Sequence, residues 1–341
     1  MAVLFEVTKV SFMLSISSVL FFNLKPFLLS AVAMSDPHQN QSQPTLSTDN
    51  YPVPLSPPLP SISKQIELNR AMTASSRSTL FSLSTNHILY EDEWIIAVNK
   101  PQGIYCENVL SSVPTLLNAK PSQGSEVELH LANRLDRDTS GVMVITKSHK
   151  VAAKFVKAFT EHKVKKTYIA LCIGVPPKWK RVTVRSGHGR SRFGMWRVYA
   201  ASDVGRSLPG GSVVRDMETA FEVVAINGKG ILEDEGSSSN SSSVVVVEEK
   251  SVKEDGDVDG DESEIVVRAY PKSGRTHQIR LHCQYLGISI KGDVKYEGAC
   301  EWKGATFDAH HLHAEMLSFQ HPVTGACVML RAPLPPWCTV S

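Results

Sequence analysis

Two short segments hold residues able to do chemistry together. The first is Asn133-Arg134-Leu135-Asp136-Arg137-Asp138-Thr139-Ser140-Gly141, which runs straight into the apolar stretch Val142–Thr146. A charged loop feeding a buried strand fixes polar side chains against a rigid element. Taken alone, these residues also describe a solvated turn with Asx-type hydrogen bonds and a glycine exit. The second segment, Tyr270–His282, gathers Arg275, His277, Arg280 and His282 around one helix start. An aspartate that attacks carbon or takes a proton at neutral pH must stay ionised while partly buried. A neighbouring arginine supplies the compensation, by charge and by forked hydrogen bonds. Arginine side chains, Arg275 among them, and the free amides of a helix start also suit phosphate. On its own, the second segment equally fits an exposed basic helix face.

Together the two segments resemble one family. N-R-L-D-R-D-T-S-G is similar to the H-R-L-D-x-x-T-S-G signature of RluA-type pseudouridine synthases, and G-R-T-H-Q-I-R-L-H, continuing to L-G-I-S-I-K-G-D-V-K-Y-E-G, resembles that family's later motif. Ile88–Gly103 resembles its opening strands and N-K-P-x-G turn. Lys165–Ala170 is similar to its K-x-Y motif. Leu312-His313-Ala314, Phe319–Gly325 and Ala332–Pro335 resemble its closing segment. The likeness covers about Ile88 to Pro336, in order. It implies an α+β catalytic domain on a mixed, largely antiparallel sheet with flanking helices and loops. By residue, it implies that Asp136 is the catalytic aspartate and that Tyr168 packs against the target base. Arg280 pairs with the carboxylate, Arg134 holds or displaces the flipped nucleotide, and Leu312 lines the base pocket. Asn133 stands where many members have His, which alters a local hydrogen bond rather than the nucleophile.

The implied reaction breaks the bond from uracil N1 to ribose C1′ and rejoins the base through C5. No atom is gained or lost, so neither a metal nor an organic cofactor is expected. One carboxylate can serve, as a nucleophile at C1′ or as a base at the 2′ position. The target base must leave its stack. RNA, whether transfer, ribosomal or messenger, is therefore the expected partner. Lys178–Arg206 interleaves basic residues with Trp179, Phe193 and Trp196, and is the candidate RNA-clamping arm, with Lys180, Arg181, Arg190 and Arg192 as phosphate contacts. A solvated hairpin is the plainer account of the same residues.

Elements must position these groups. Ile88–Asn99 reads as two short apolar stretches around an acidic turn, and Val142–Thr146 as a buried strand. Lys150–His162 carries apolar residues at helical spacing. Thr167–Gly174, Thr219–Ile226, Ile265–Tyr270 and Val328–Leu330 read as strands, and Thr276–Leu286 as a helix. The catalytic domain is expected over 81–341, with the arm at 178–206 and a disordered acidic insert at 227–263. Only the run Val244–Val247 in that insert has strand character. Residues 34–80, rich in Pro, Ser and Gln, are expected to be a disordered linker.

The chain has 341 residues and a net charge of +2. Between Lys229 and Glu264 twelve acids face three bases, a net of −9, so the remainder carries +11. That balance suits a polyanionic partner. The six cysteines form no C-x-x-C pair and read as reduced, mostly buried thiols of an intracellular protein. Residues 1–33 are apolar, Ser-rich and nearly free of acids, but Lys25 and Pro26 interrupt the run. A chloroplast or mitochondrial targeting segment is expected rather than a membrane span. Translation from Met34 would instead leave a cytoplasmic or nuclear protein. A monomer is expected. Two other classes compete. One is an inactive RNA-binding protein on the same fold. The other is a metal-dependent hydrolase built on Asp308, His310, His311 and His313, whose spacing lacks H-E-x-x-H.

Overall fold

The computed structural model describes residues 51–118, 128–230, 243–248 and 261–338. The chain enters through α1 (Ser63–Thr79), then a hairpin of β1 (Ile88–Glu91) and β2 (Ile95–Lys100). Asp92 closes that turn by accepting from the amides of Trp94 and Ile95, both at 2.8 Å. α2 (Cys106–Asn118), β3 (His130–Leu131), β4 (Ser140–Thr146), α3 (His149–Thr160) and β5 (Lys165–Gly174) follow. Ser148 caps α3 by accepting from the Val151 amide.

The second half is mostly strand. It comprises β6 (Arg181–Arg190), β7 (Trp196–Tyr199), β8 (Arg215–Ile226), β9 (Lys229–Gly230), β10 (Ser243–Val246) and β11 (Ser263–Pro271). Then come α4 (Gln278–Tyr285), β12 (Ile288–Ile290), the small hairpin β13 (Glu301–Trp302) with β14 (Ala305–Thr306), β15 (Leu312–Gln320) and β16 (Cys327–Arg331). One sheet runs β1-β2-β4-β15-β5-β11-β8-β6-β10, with β3, β7, β9, β12 and β16 pairing onto it. Among the described strands only β4–β15 and β6–β10 are parallel pairs. The fold is α+β on a mixed, largely antiparallel sheet.

Burial follows residue patterning. β2 and β4 are continuous apolar runs because both faces are covered. Ile96, Val98, Met143 and Ile145 pack under Val109 and Val113 of α2, whereas Ile95, Ala97, Val142 and Val144 pack under Val151 and Phe155 of α3. β8 alternates instead, burying Met217, Thr219, Phe221, Val223 and Ala225. α4 is buried from Gln278 to Gln284. It lies within the core formed with β5, β6, β8 and β11.

Two expectations are corrected. The linker expected over 34–80 gives way to helix at Ser63–Thr79. That helix has no apolar stripe and buries only Ser63, Ala74 and Ser78, so hydrophobic periodicity does not reveal it. Just upstream, Leu55 donates its amide to Val198 and Ser56 takes a hydrogen bond from Arg197, so residues 51–62 dock too. Within the insert expected to be disordered over 227–263, Ser243–Val246 forms β10, parallel to β6, and Val247 is fully buried. The targeting segment at 1–33, residues 34–50 and the insert stretches 231–242 and 249–260 lie outside the described residues.

Candidate active site

The loop 132–139 delivers Asp136 to the edge of β4, at the centre of the sheet. It is held from three sides. Lys100, fully buried at the end of β2, donates to the carbonyls of Pro101, Ile104 and Arg137, at 2.8, 2.8 and 2.9 Å. Burial lowers this ammonium to about 8, against the pull of nearby carboxylates. Asn133 accepts from the Val144 amide at 2.8 Å and donates to the Val142 carbonyl at 3.3 Å, which ties the loop to β4. The loop then leaves through Gly141, at φ +111°, where a Cβ would stand 2.2 Å from the Ala314 carbonyl oxygen. Only glycine allows β15 to pair that closely with β4.

The helix start supplies the counter-charge. Arg280 is 5% exposed. Its Nη1 donates to Asp136 Oδ2 at 2.8 Å, while Nε and Nη2 donate to the two oxygens of Asp293 at 2.6 and 2.7 Å. The ring of Tyr296 lies 5.0 Å from the guanidinium carbon. Burial pushes the Asp136 carboxyl up, but His277, Arg280 and His310 outweigh it and hold it well below the usual range. Burial and Arg280 take His277 itself down to about 3, so near neutrality its ring is uncharged and Arg280 supplies the operative charge. His277 adopts φ +58°, a left-handed conformation that is uncommon outside glycine. It places Nε2 3.8 Å from Asp136 Oδ2 and Nδ1 2.7 Å from the Tyr296 hydroxyl.

Tyr168, on β5, is half-buried and packs against both adjoining cores. Burial, then the Asp136 charge, raises its phenol, which therefore stays protonated. The pairing Ala314↔Tyr168 sets β15 between Tyr168 and the β4 loop. Asp136, Tyr168 and Arg280 thus converge. The other residues singled out from sequence are more scattered. Leu312 is 4% exposed and belongs to the core around α4. Arg134 is exposed and pairs with Glu107 of α2. Arg275 donates to the carboxylate and the carbonyl of Asp216.

The arm is a strand and hairpin of the sheet, and it has two ends. At one end Arg181 pairs with Glu222 at 2.7 Å, beside Lys180. Nine residues along the strand, about 30 Å at the usual rise, Arg190 lies over Trp196, and just beyond it Arg192 lies over the exposed Phe193. This second end abuts the start of α4: His188 donates to the Thr276 carbonyl at 2.9 Å, and Ser186 bonds His282. Arg190 and Arg192 therefore stand near the site, and Lys180 and Arg181 do not.

Several positioning groups were missed from sequence. Asp293 was signalled only by its place in the K-G-D run, and Lys100 only by the N-K-P turn. His310, 3% exposed, bonds Thr139 at 2.8 Å and is lowered to about 4 by burial and Arg280. His310, His311 and His313 turn to separate partners: Thr139, the Lys291 carbonyl and Ser140.

A family model described as RNA pseudouridylate synthase matches residues 94–285. The chain is 62% identical over 288 residues to RNA pseudouridine synthase 1 of Arabidopsis thaliana, covering 84% of this chain and 87% of that one. It is 29% identical over 258 residues to ribosomal large subunit pseudouridine synthase C of Rickettsia bellii, covering 74% and 70%. Among solved structures, human RNA pseudouridylate synthase domain containing 1 aligns at 20% identity over 75% of this chain and 87% of that one, with a TM-score of 0.49.

Proposed function

Since the chain belongs to the RNA pseudouridylate synthase family and is an isomerase that converts uridine in RNA to pseudouridine, we propose that Asp136, Arg280 and Tyr168 carry that reaction. The observation that supports this most is the 2.8 Å bond from Arg280 to Asp136, a carboxylate close enough to Tyr168 to act on its phenol. Arg280 keeps the carboxylate ionised. It can then attack C1′, or remove the 2′ proton, as the bond from N1 to C1′ breaks. Tyr168 offers a flat wall against which the released uracil turns until C5 meets C1′. Bond formation there expels the C5 proton, and N1 gains one. Both half-reactions stay within one nucleotide, so the cleft needs to hold the base, not a second substrate.

Flipping needs a grip on the backbone. Arg190, Arg192 and Phe193 stand at the end of the hairpin that abuts α4, and offer two cations and a stacking surface. Arg134, exposed and held by a surface pair with Glu107, can enter the space a flipped nucleotide leaves. The relative's name makes large-subunit ribosomal RNA the first substrate to assay, ahead of transfer and messenger RNA. The acid-poor segment 1–33 supports delivery to a chloroplast or mitochondrion, read by the location of fluorescent fusions with and without it. Monomeric behaviour is checked by light scattering. The reaction itself is tested by tritium release from 5-tritiated uridine in RNA. Release by the parent and none by the Asp136→Asn variant supports the assignment; comparable release by both overturns it.

A further inference from the structure

We propose that α1 is a positioning element of the active site: Glu67 and Arg70 staple the loop that carries Asp136 to the turn that carries Asp293. The inference rests on reading Asp136 as the reacting carboxylate. α1 precedes the residues that the family model matches. It crosses the molecule where two loops meet. Arg70, with 9% of its side chain exposed, donates Nη1 to the Gly292 carbonyl at 2.8 Å and Nη2 to the Phe307 carbonyl. Gly292 is the residue before Asp293. One turn earlier, Glu67 stands 3.7 Å from Arg137, the residue after Asp136, and 4.0 Å from Lys295, two residues past Asp293. Its other oxygen lies 3.6 Å from Arg70.

These ties end on segments packed directly against the site. Gly292 has φ +79°, and a Cβ there would meet the Ala309 carbonyl oxygen at 2.2 Å, so the turn lies close against that backbone. Arg137 grips Asp138 with two bonds at 2.7 and 2.6 Å, and its carbonyl takes the Lys100 ammonium. A shift of the Gly292 turn therefore carries Asp293, which carries Arg280, which carries Asp136. A shift of Arg137 reaches Asp136 directly. α1 touches both ends of this chain and spans it from outside.

The character of the helix supports positioning over core building. Its buried residues are small, Ser63, Ala74 and Ser78, and Leu68 and Met72 face solvent. What docks it is polar and directed, so the docking can be lost with little loss of core. Misplacing a reacting group by about 1 Å costs on the order of 100-fold in rate. Here the cost would appear in the chemical step and not in binding.

The test uses the full chain and transcribed ribosomal and transfer RNA carrying 5-tritiated uridine. Single-turnover rate at saturating RNA, RNA affinity and thermal midpoint are measured for Arg70→Ala, Arg70→Lys, Glu67→Gln and Leu68→Ala. The staple predicts a rate roughly 10–100-fold lower for Arg70→Ala, partial recovery in Arg70→Lys, a smaller loss for Glu67→Gln and the parent's rate for Leu68→Ala. Affinity and midpoint should stay close to the parent's. A parent-like rate for Arg70→Ala overturns it. So does a loss of affinity that accounts for the rate, which would make α1 an RNA-contacting wall. A rate loss that disappears once temperature is lowered to restore the folded fraction also overturns it. Asp136→Asn runs in parallel. If that variant turns over, the reading of the site fails and the staple with it; if it is inactive while Arg70→Ala keeps the parent's rate, the staple alone fails.

Discussion

Arg280 gives two of its three guanidinium nitrogens to Asp293 and only one to Asp136. Asp293 is 1% exposed, and its carboxyl, though pushed up by burial, is held down by Arg280. The guanidinium is therefore fixed chiefly by the deeply buried Asp293. Asp136 is left with one charged bond, enough to stay ionised, and with its other oxygen clear of Arg280.

Removing Asp293 should thus look like removing Arg280. Asp293→Asn leaves the buried guanidinium without its forked partner, a defect that typically costs about 3–5 kcal/mol. Arg280→Lys should fail as well, since an ammonium cannot bridge both carboxylates in one plane. Circular dichroism and single-turnover rates should show both variants less stable and slowed at least as much as their folded fraction implies. A stable, fully active Asp293→Asn would show that Arg280 needs no anchor.

The two aspartates of the loop should separate by phenotype. Asp136→Asn is expected to fold and bind RNA but not turn over. Asp138→Asn is expected to be a stability variant, because Asp138 is 6% exposed and bonded twice to Arg137. Its denaturation midpoint should fall, and its residual rate should follow the folded fraction. Equal stability of Asp138→Asn and the parent would count against this.

On the arm, Arg190→Ser with Arg192→Ser should weaken RNA binding and flatten its salt dependence, by roughly 0.7 in log–log slope per lost phosphate contact. Lys180→Ser with Arg181→Ser, about 30 Å along the strand, should leave the slope nearly unchanged. Filter binding across a salt series decides. Equal effects from the two pairs would mean that RNA runs the whole length of β6.

Acid should destabilise the fold before its carboxylates protonate. Burial, the leading cause in each, lowers His188 and His310 to about 4 and His277 and His282 to about 3. The unfolded value is about 6.5. Below it the unfolded chain binds protons that the folded chain refuses. This contribution is therefore fully present above about pH 6.5 and declines as pH falls toward 4, by up to about 1.4 kcal/mol per pH unit for each histidine. Urea midpoints at pH 7.5, 6.5 and 5.5 should decrease in that order; a flat series would mean the folded imidazoles accept protons.

The insert should not be freely removable. Deleting Gly236–Gly260 takes away β10 and Val247, whose side chain is wholly buried and whose burial contributes about 1.5–3 kcal/mol. The deletion should lower thermal stability, and so should Val247→Asp on its own. An unchanged midpoint for both would show that β6 needs no cover.

How far the sequence could be read depends on where each signal sits. The hairpin before Lys100, the strand Ser140–Thr146 and helix α3 stand out because their apolar spacing matches their burial. Concentrated charge made the two segments stand out, and within them the resemblance to the RluA-type motifs singled out Asp136 and Arg280. β15 was quoted only as motif fragments: buried His313 and Glu315 interrupt its apolar pattern, although it is an interior strand between β4 and β5. α1 carries no periodic signal, since polar bonds to distant carbonyls dock it. Asp293 reads as one acid in a loop until Arg280 is seen beside it. Such ties join residues far apart in the chain, and no local pattern encodes them.

The parallel contact of β15 with β4 has a further consequence, for the order of events during synthesis. Ser140 and His313, bonded at 2.8 Å, are 173 residues apart. β2, β4 and α3 can form early, but the bed on which Asp136 rests is completed only when residues 312–320 have left the ribosome. Such long-range pairings form late in folding. A nascent or truncated chain would thus present its basic surface before the loop that carries Asp136 has its seat. The arrangement of Asp136 against β15 is therefore completed late in the life of the growing polypeptide.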